Sequence, residues 1–258
     1  MEAPQNNRRI LDSLKFHGLS YLHSLVDIFY PVKCRFCSQK LNSSYIHDGF
    51  VCEQCWRKMV ILRPPYCRIC GHPFGDGEGI DCFACKALQN IHFDLARGIA
   101  LYDKRMRKVI HSLKYEYHTE YISPLSRMVL DYFDTSNDYP ALDAIVPVPL
   151  HPRRLRDREF NQSEVLFQPL SVRLNIPLIN NVLYRTRYNI PQVGLNSEER
   201  MKNVEGLFAA QNKTLIAGKT ILIVDDVMTT GATINACSKV LKDAGAMAVY
   251  ALCMTRGG

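Results

Sequence analysis

The sequence has one tryptophan in 258 residues, no low-complexity segment and no apolar run near the roughly 18 residues a membrane-spanning helix needs. Apolar stretches such as Ile221–Val224 are strand-sized. The N-terminus lacks a compact apolar region followed by a small-residue cleavage site, so an exported or integral membrane protein is not expected. Disorder is not expected either, because 47% hydrophobic against 22% charged residues is an ordinary globular balance. The length allows one to two domains.

What the chain has in unusual number is cysteine, ten in all. Eight form four Cys-x-x-Cys pairs: Cys34/Cys37, Cys52/Cys55, Cys67/Cys70 and Cys82/Cys85. Without an export signal, such pairs point to metal rather than disulfides. They contain an internal repeat. Cys34-Arg-Phe-Cys-Ser and Cys67-Arg-Ile-Cys-Gly each open a segment that a second pair closes. Two tandem zinc ribbons, each with one Zn²⁺, follow most simply. A cross-braced pairing, first with third and second with fourth, stays open because the gaps of 14 and 11 residues are short for a ribbon. A four-sulfur shell leaves no open coordination position, so both sites are expected to be structural. Four thioredoxin-like dithiols in one chain are disfavoured. Cys237 and Cys253 fall on expected helix and strand faces and read as core. Two such sites also reduce the basicity: eight thiolates holding two Zn²⁺ bring the formal +7 to about +3.

Three regions follow. Residues 1–30 carry apolar positions at helical spacing (Leu11, Leu14, Leu22, Leu25, Phe29) and predict an amphipathic helix, packed on its own protein or on a membrane or partner surface. Residues 31–90 hold the ribbons. Residues 91–258 alternate expected strands (Gly98–Leu101, Ala144–Val148, Thr220–Val224, Ala248–Cys253) with helical stretches (Arg105–Tyr115, Ser123–Phe133, and others from about Asn161 and Ala232). Such alternation predicts an α/β fold with a doubly wound, mostly parallel sheet.

The most informative stretch runs from Thr220 to Ile234. Four apolar residues form a buried strand that delivers Asp225 and Asp226 to its carboxyl end, where open α/β sheets bind ligands. Vicinal carboxylates there suit the two hydroxyls of a ribose. Thr229, Thr230, Gly231, Ala232 and Thr233 then open a helix, and free N–H groups, hydroxyls and the helix dipole favour a phosphate. This string resembles the phosphoribosyl pyrophosphate (PRPP) motif of type I phosphoribosyltransferases. Val146-Pro-Val-Pro149, Arg153, Arg154, Arg156, Arg158, Phe160-Asn-Gln162, Arg185-Thr-Arg187, Pro191-Gln192, Glu199-Arg200, Asn203-Val204 and Lys114-Tyr115 extend the likeness. Together with the cysteine pairs they resemble the ComF/GntX family of double-zinc-ribbon, phosphoribosyltransferase-like proteins.

The resemblance implies a type I phosphoribosyltransferase fold behind a small N-terminal ribbon domain. It puts PRPP, with Mg²⁺, on Asp225, Asp226, Val227, Met228, Thr229, Thr230, Gly231, Ala232 and Thr233. The acidic pair would hold the ribose hydroxyls and, in an active transferase, serve as the catalytic residues. Arg158, Arg185, Arg187 and Gln192 would meet the pyrophosphate. It further implies a cytoplasmic protein at the inner face of the membrane, handling incoming single-stranded DNA in natural transformation beside other DNA-uptake proteins. Phe36, Trp56, Tyr66, Tyr115, Tyr117, Phe160, Tyr184 and Tyr188 are candidate stacking platforms. Two other readings stay open: an active phosphoribosyltransferase on an unidentified acceptor, and a PRPP-sensing scaffold. The chain departs from the family pattern at Glu159, where a glycine is usual, at Asn189, where a threonine is common, and at Pro169 within an expected helix.

Overall fold

The computed structural model describes residues 31–257 apart from 35, 42–45, 48–50, 75–81, 83–84, 87, 89, 189–203 and 205. The helix expected in residues 1–30, along with Gln192, Arg200 and Asn189, lies outside the described residues. The chain divides into two units, Met1–Lys58 and Met59–Gly258.

In the first unit, β1 (Ile46–His47) pairs antiparallel with β2 (Val51–Cys52), which runs into α1 (Glu53–Arg57). In the second, a four-stranded sheet has the order β3 (Leu95–Leu101), β8 (Ala248–Arg256), β7 (Thr220–Met228), β4 (Ala144–Pro147). Every pairing in it is parallel. The central strands explain their own composition. β7 is flanked by strands on both sides, and Ile221–Val224 are fully buried. A strand covered on both faces reads as a continuous apolar run rather than an alternation. Burying each such side chain contributes about 1.5–3 kcal/mol.

The helices are α2 (Lys104–Tyr115), α3 (Ile122–Thr135), α4 (Pro152–Arg158), α5 (Gln162–Leu174) and α6 (Ala232–Asp243). α2 starts where the Asp103 carboxylate accepts from Arg105 N and Met106 N, both at 2.9 Å, and it buries the stripe Met106, Val109, Ile110 and Leu113. α5 starts at Asn161, whose side chain accepts from Ser163 N, and packs on α3, β4 and β7. Pro169 lies inside α5. α6 packs on β7 and β8, and on β6 (Phe208–Ala210), which pairs antiparallel with β5 (Leu183–Arg185).

Several boundaries differ from expectation for physical reasons. β3 begins at Leu95 because Arg97, which breaks the apolar run, is buried with its guanidinium on Asp138 at 2.8 and 3.2 Å. β7 continues through Asp225 and Asp226 to Met228, held in register by Asp225↔Cys253 and Met228↔Arg256 on β8. α4 has no apolar stripe; Pro152 at its first turn and the His151 side chain, which accepts from Arg153 N, start it. It ends at Glu159, which holds the left-handed conformation (φ 65°) that the missing glycine would take without strain.

Candidate functional site

β7 brings its carboxylates to the C-terminal edge of the sheet, and elements remote in sequence hold them there. Asp225 Oδ1 accepts from Ser163 Oγ at 3.0 Å and from the Asp226 backbone N–H at 2.9 Å. Ser163 is set by the Asn161 cap, whose Nδ2 also donates to the Val148 carbonyl at 3.0 Å. The start of α5 is thereby pinned to the end of β4 and aimed at Asp225. Asp226 is only 6% exposed, and Lys114 Nζ lies 2.8 Å from each of its oxygens. Burial and the neighbouring Asp226 charge push the Asp225 carboxyl up to about 7 against the opposing pull of Lys114. Two carboxylates crowded at a half-closed edge are costly when empty, as is common at binding sites.

The turn after β7 leads directly into α6. Gly231, at the cap of α6, takes the left-handed φ of 82° and brings no capping side chain, and Thr230 Oγ1 accepts from Ala232 N at 3.4 Å. Thr229, Thr230 and Thr233 are half-buried around it, whereas Met228 turns its side chain into the core. Val227 is half-buried on β7.

The arginines gather on the same side. Arg185 Nε donates to the Pro149 carbonyl at 2.8 Å, and its guanidinium sits 5.0 Å over the Phe208 ring. Burial lowers its pKa, and Arg154 and Arg158 press in the same direction while Asp225 opposes them. Arg185, Arg154 and Arg158 thus form one positive cluster within electrostatic reach of the acidic pair. Arg158 also donates to Gln162 Oε1 at 3.2 Å. Gln162 is buried, and its Nε2 has no hydrogen-bond partner among the described residues. Arg187 is exposed beyond the end of β5.

Three exposed tyrosines surround α4. Arg158 lies 4.8 Å over the Tyr115 ring, which also packs against His111 at 4.8 Å. Arg153 and Arg154 lie 5.5 and 5.4 Å over Tyr188, and the Tyr117 hydroxyl donates to the Asp157 carbonyl. Tyr184 is exposed on β5. Tyr66 is engaged elsewhere, under Arg97 and hydrogen-bonded to Asp138.

The cysteines form two separate tetrads, Cys34/Cys37/Cys52/Cys55 and Cys67/Cys70/Cys82/Cys85, with all four sulfurs of each within 4.8 Å. This is the tandem pairing, and the cross-braced one is excluded. Observed sulfur separations of 3.7 Å (Cys37–Cys52, Cys67–Cys85) and 3.2 Å (Cys70–Cys82) approach the roughly 3.8 Å spanned by tetrahedral ligands at about 2.3 Å from Zn²⁺. Each tetrad therefore fits a structural zinc ion. The sequence repeat is also a repeat of turns. Cys34 N donates to the Gln39 carbonyl and Cys67 N to that of His72, both at 2.8 Å, and Ser38 and Gly71 both adopt left-handed φ, 60° and 63°. In each tetrad a cysteine N–H also points at a ligand sulfur, Cys55 N on Cys52 and Cys85 N on Cys82, which stabilises thiolate.

The parallel sheet with an acidic pair and a threonine–glycine turn at its carboxyl edge, joined to two four-cysteine tetrads, defines a phosphoribosyltransferase-like protein with a double zinc ribbon. Comparison with known families agrees: the double zinc ribbon domain matches residues 25–86, and the phosphoribosyl transferase domain matches residues 161–257. The chain is 35% identical to the DNA utilization protein YhgH of Escherichia coli K12 over 229 residues, covering 88% of this chain and 97% of that one. It is 29% identical to Competence protein F of Haemophilus influenzae, over 84% and 93% of the two chains. With the Competence protein ComFC of Bacillus subtilis it shares 27% identity over 77% and 80%. The chain belongs to this family of competence and DNA utilization proteins.

Lys114 stands in a recognisable pair with Tyr115, but nothing local assigns it to Asp226. Ser163 and Arg256, whose guanidinium reaches the carbonyls of Met228 and Thr229, sit in no motif of their own. The available signals were weak: a serine two residues past a helix cap, and a charge inside an apolar strand.

Proposed function

We propose that this protein binds PRPP at the β7–α6 edge and uses that site in the handling of incoming single-stranded DNA. The observation that carries the reading is the convergence of Asp225, Asp226, Ser163 and Lys114 beside the Thr229–Thr233 turn. The turn suits the 5′-phosphate and the acidic pair the ribose hydroxyls, while Arg158 and Arg185 offer guanidinium forks for the pyrophosphate. Mg²⁺ in this reading arrives on the pyrophosphate, retaining most of its waters. The double engagement of Asp226 by Lys114 agrees with a cation held by phosphate oxygens and water rather than by a set of carboxylates.

The DNA part of the proposal is supported by the names of the relatives, and by the surface around α4. That surface combines Arg153, Arg154 and Arg158 with the exposed rings of Tyr115 and Tyr188, the pairing of positive charge and stacking faces that single strands require. Its place adjoining the anion cluster makes PRPP a natural modulator of DNA binding. The protein then acts in the cytoplasm, and no described helix is long and apolar enough to cross a membrane.

Calorimetric titration of the zinc-loaded chain with Mg²⁺–PRPP tests the first part. The Asp225→Ala/Asp226→Ala double variant should lose PRPP affinity by at least tenfold while keeping two zinc ions. Unchanged affinity in that folded variant overturns the site. Single-stranded oligonucleotide binding at two salt concentrations tests the second part, and affinity must fall steeply with salt. Release of pyrophosphate during incubation with nucleobase or amine acceptors would convert the binding protein into a transferase.

A further inference from the structure

Arg256 closes β8 and is among the largest fully buried side chains, only 1% exposed. Position 98 on β3 has to be glycine to admit it: a Cβ on Gly98 would stand 2.4 Å from Arg256 Cβ. The guanidinium faces two ways. Nη1 donates to the carbonyls of Met228 (3.3 Å), Thr229 and Gly257 (3.0 Å), which frame the start of the phosphate turn. Nε donates to the Cys70 carbonyl at 3.2 Å, and Nη2 lies 3.6 Å from Cys70 Sγ. A buried guanidinium needs an anion. Among the described residues no carboxylate pairs with it, and four thiolates around one Zn²⁺ carry the net negative charge that would.

Two further contacts join the same parts. Leu88, just past the last cysteine of the tetrad, backs the turn: its Cδ1 would lie 3.7 Å from a Cβ on Gly231. Asn235, in the first turn of α6, accepts from His92 N and donates to the Asn90 carbonyl, both at 2.7 Å. Cys67, Cys70, Cys82 and Cys85 also belong to one buried cluster with Met228, Ala232 and Ile234.

From this geometry we infer that the second cysteine tetrad is part of the phosphate site's machinery, with Arg256 as the positioning residue that transmits metal occupancy to the Met228–Thr229 backbone. The inference rests on the PRPP reading above and adds to it a coupling. By linkage, if metal in this tetrad raises PRPP affinity by some factor, PRPP raises the retention of that metal by the same factor.

The test is zinc release from the full-length chain into a chromogenic chelator, with and without saturating Mg²⁺–PRPP, alongside PRPP calorimetry. At equilibrium with the chelator, one of two zinc ions per chain should be held more tightly with PRPP, by about 5- to 150-fold in affinity. Asn235→Ala, which removes only the Asn90/His92 clasp, should shrink that protection, and Arg256→Lys, which keeps the charge but not the fork, should shrink it further. Arg256→Lys should also weaken PRPP binding by about tenfold or more with both zinc ions retained at rest. If Arg256→Lys fails to fold, Asn235→Ala and the wild-type comparison decide alone. Wild-type protein that binds PRPP yet holds both zinc ions with unchanged affinity against the chelator, or holds both more tightly by the same factor, overturns the coupling and leaves the PRPP site standing. Wild-type protein that does not bind PRPP at all overturns both.

Discussion

Asp225→Asn should make the empty protein more stable while disabling its site. The Asp225 carboxyl titrates at about 7 instead of 3.8, chiefly because burial and the adjacent Asp226 disfavour its ionised form. For a carboxylate raised in this way the folded state holds the proton longer than the unfolded chain. The penalty is therefore absent below about pH 4, grows as pH rises, and is complete above about pH 7. At ~1.4 kcal/mol per pH unit, the interval from 3.8 to about 7 sets a ceiling of about 4 kcal/mol at pH 8 and about 2 kcal/mol at pH 5. Asparagine keeps an oxygen where Ser163 Oγ and Asp226 N donate, and it removes the charge. Thermal unfolding of zinc-loaded wild type and variant at both pH values reads the difference. The full ceiling corresponds to a Tm gain of about 8–16 °C at pH 8, falling by more than half at pH 5. PRPP affinity should drop by at least tenfold in the same variant. A variant less stable than wild type at pH 8, or a gain equal at both pH values, refutes the reasoning.

Gly71→Ala should destabilise the chain by about 2–3 kcal/mol, since its Cβ would meet the Ala96 carbonyl oxygen at 3.0 Å in a left-handed backbone. Ser38→Ala, at the equivalent turn of the first ribbon, already bears its left-handed strain and should change stability by under ~0.5 kcal/mol in denaturant titrations. Lys114→Met leaves the buried Asp226 carboxylate without its cation and should cost about 3–5 kcal/mol, while Lys114→Arg retains most of the stability. Tyr115→Ala and Tyr188→Ala should each weaken single-stranded DNA binding by about 1–3 kcal/mol in fluorescence anisotropy, with zinc content unchanged. DNA affinity equal to wild type in both variants would remove α4 from the interface.

What could be read from sequence and what could not divide along the length of chain between interacting residues. The Thr220–Ile234 string was legible because strand, acidic pair, turn and helix start follow one another. The ribbons were legible because each turn repeats the same residue types at the same spacing. The supports of the site were not, because each is completed by a distant partner. Lys114 finds Asp226 across 112 positions, and Arg256 finds Cys70 across 186. The strand expected from Gly98 starts earlier, at Leu95, because the charge of Arg97 is buried on Asp138, 41 positions away. The helix Pro152–Arg158 escaped notice for a different reason: it buries no residue, so it has no periodic stripe to find.

The strand order has a consequence for the life of the newly made chain. β3 pairs with β8, and β4 reaches the rest of the sheet through β7, so neither early strand meets its partner until the last part of the polypeptide exists. Contacts this distant in sequence form slowly. The cysteine tetrads, by contrast, are complete within the first third of the chain and can bind metal while the remainder is still being synthesised. A chain that stalls before Thr220 would hold the full set of metal ligands and the arginine-rich helix, but neither the acidic pair nor the turn it serves. Truncated products should therefore sequester zinc, remain basic, and expose the edges of β3 and β4 that β8 and β7 would otherwise pair.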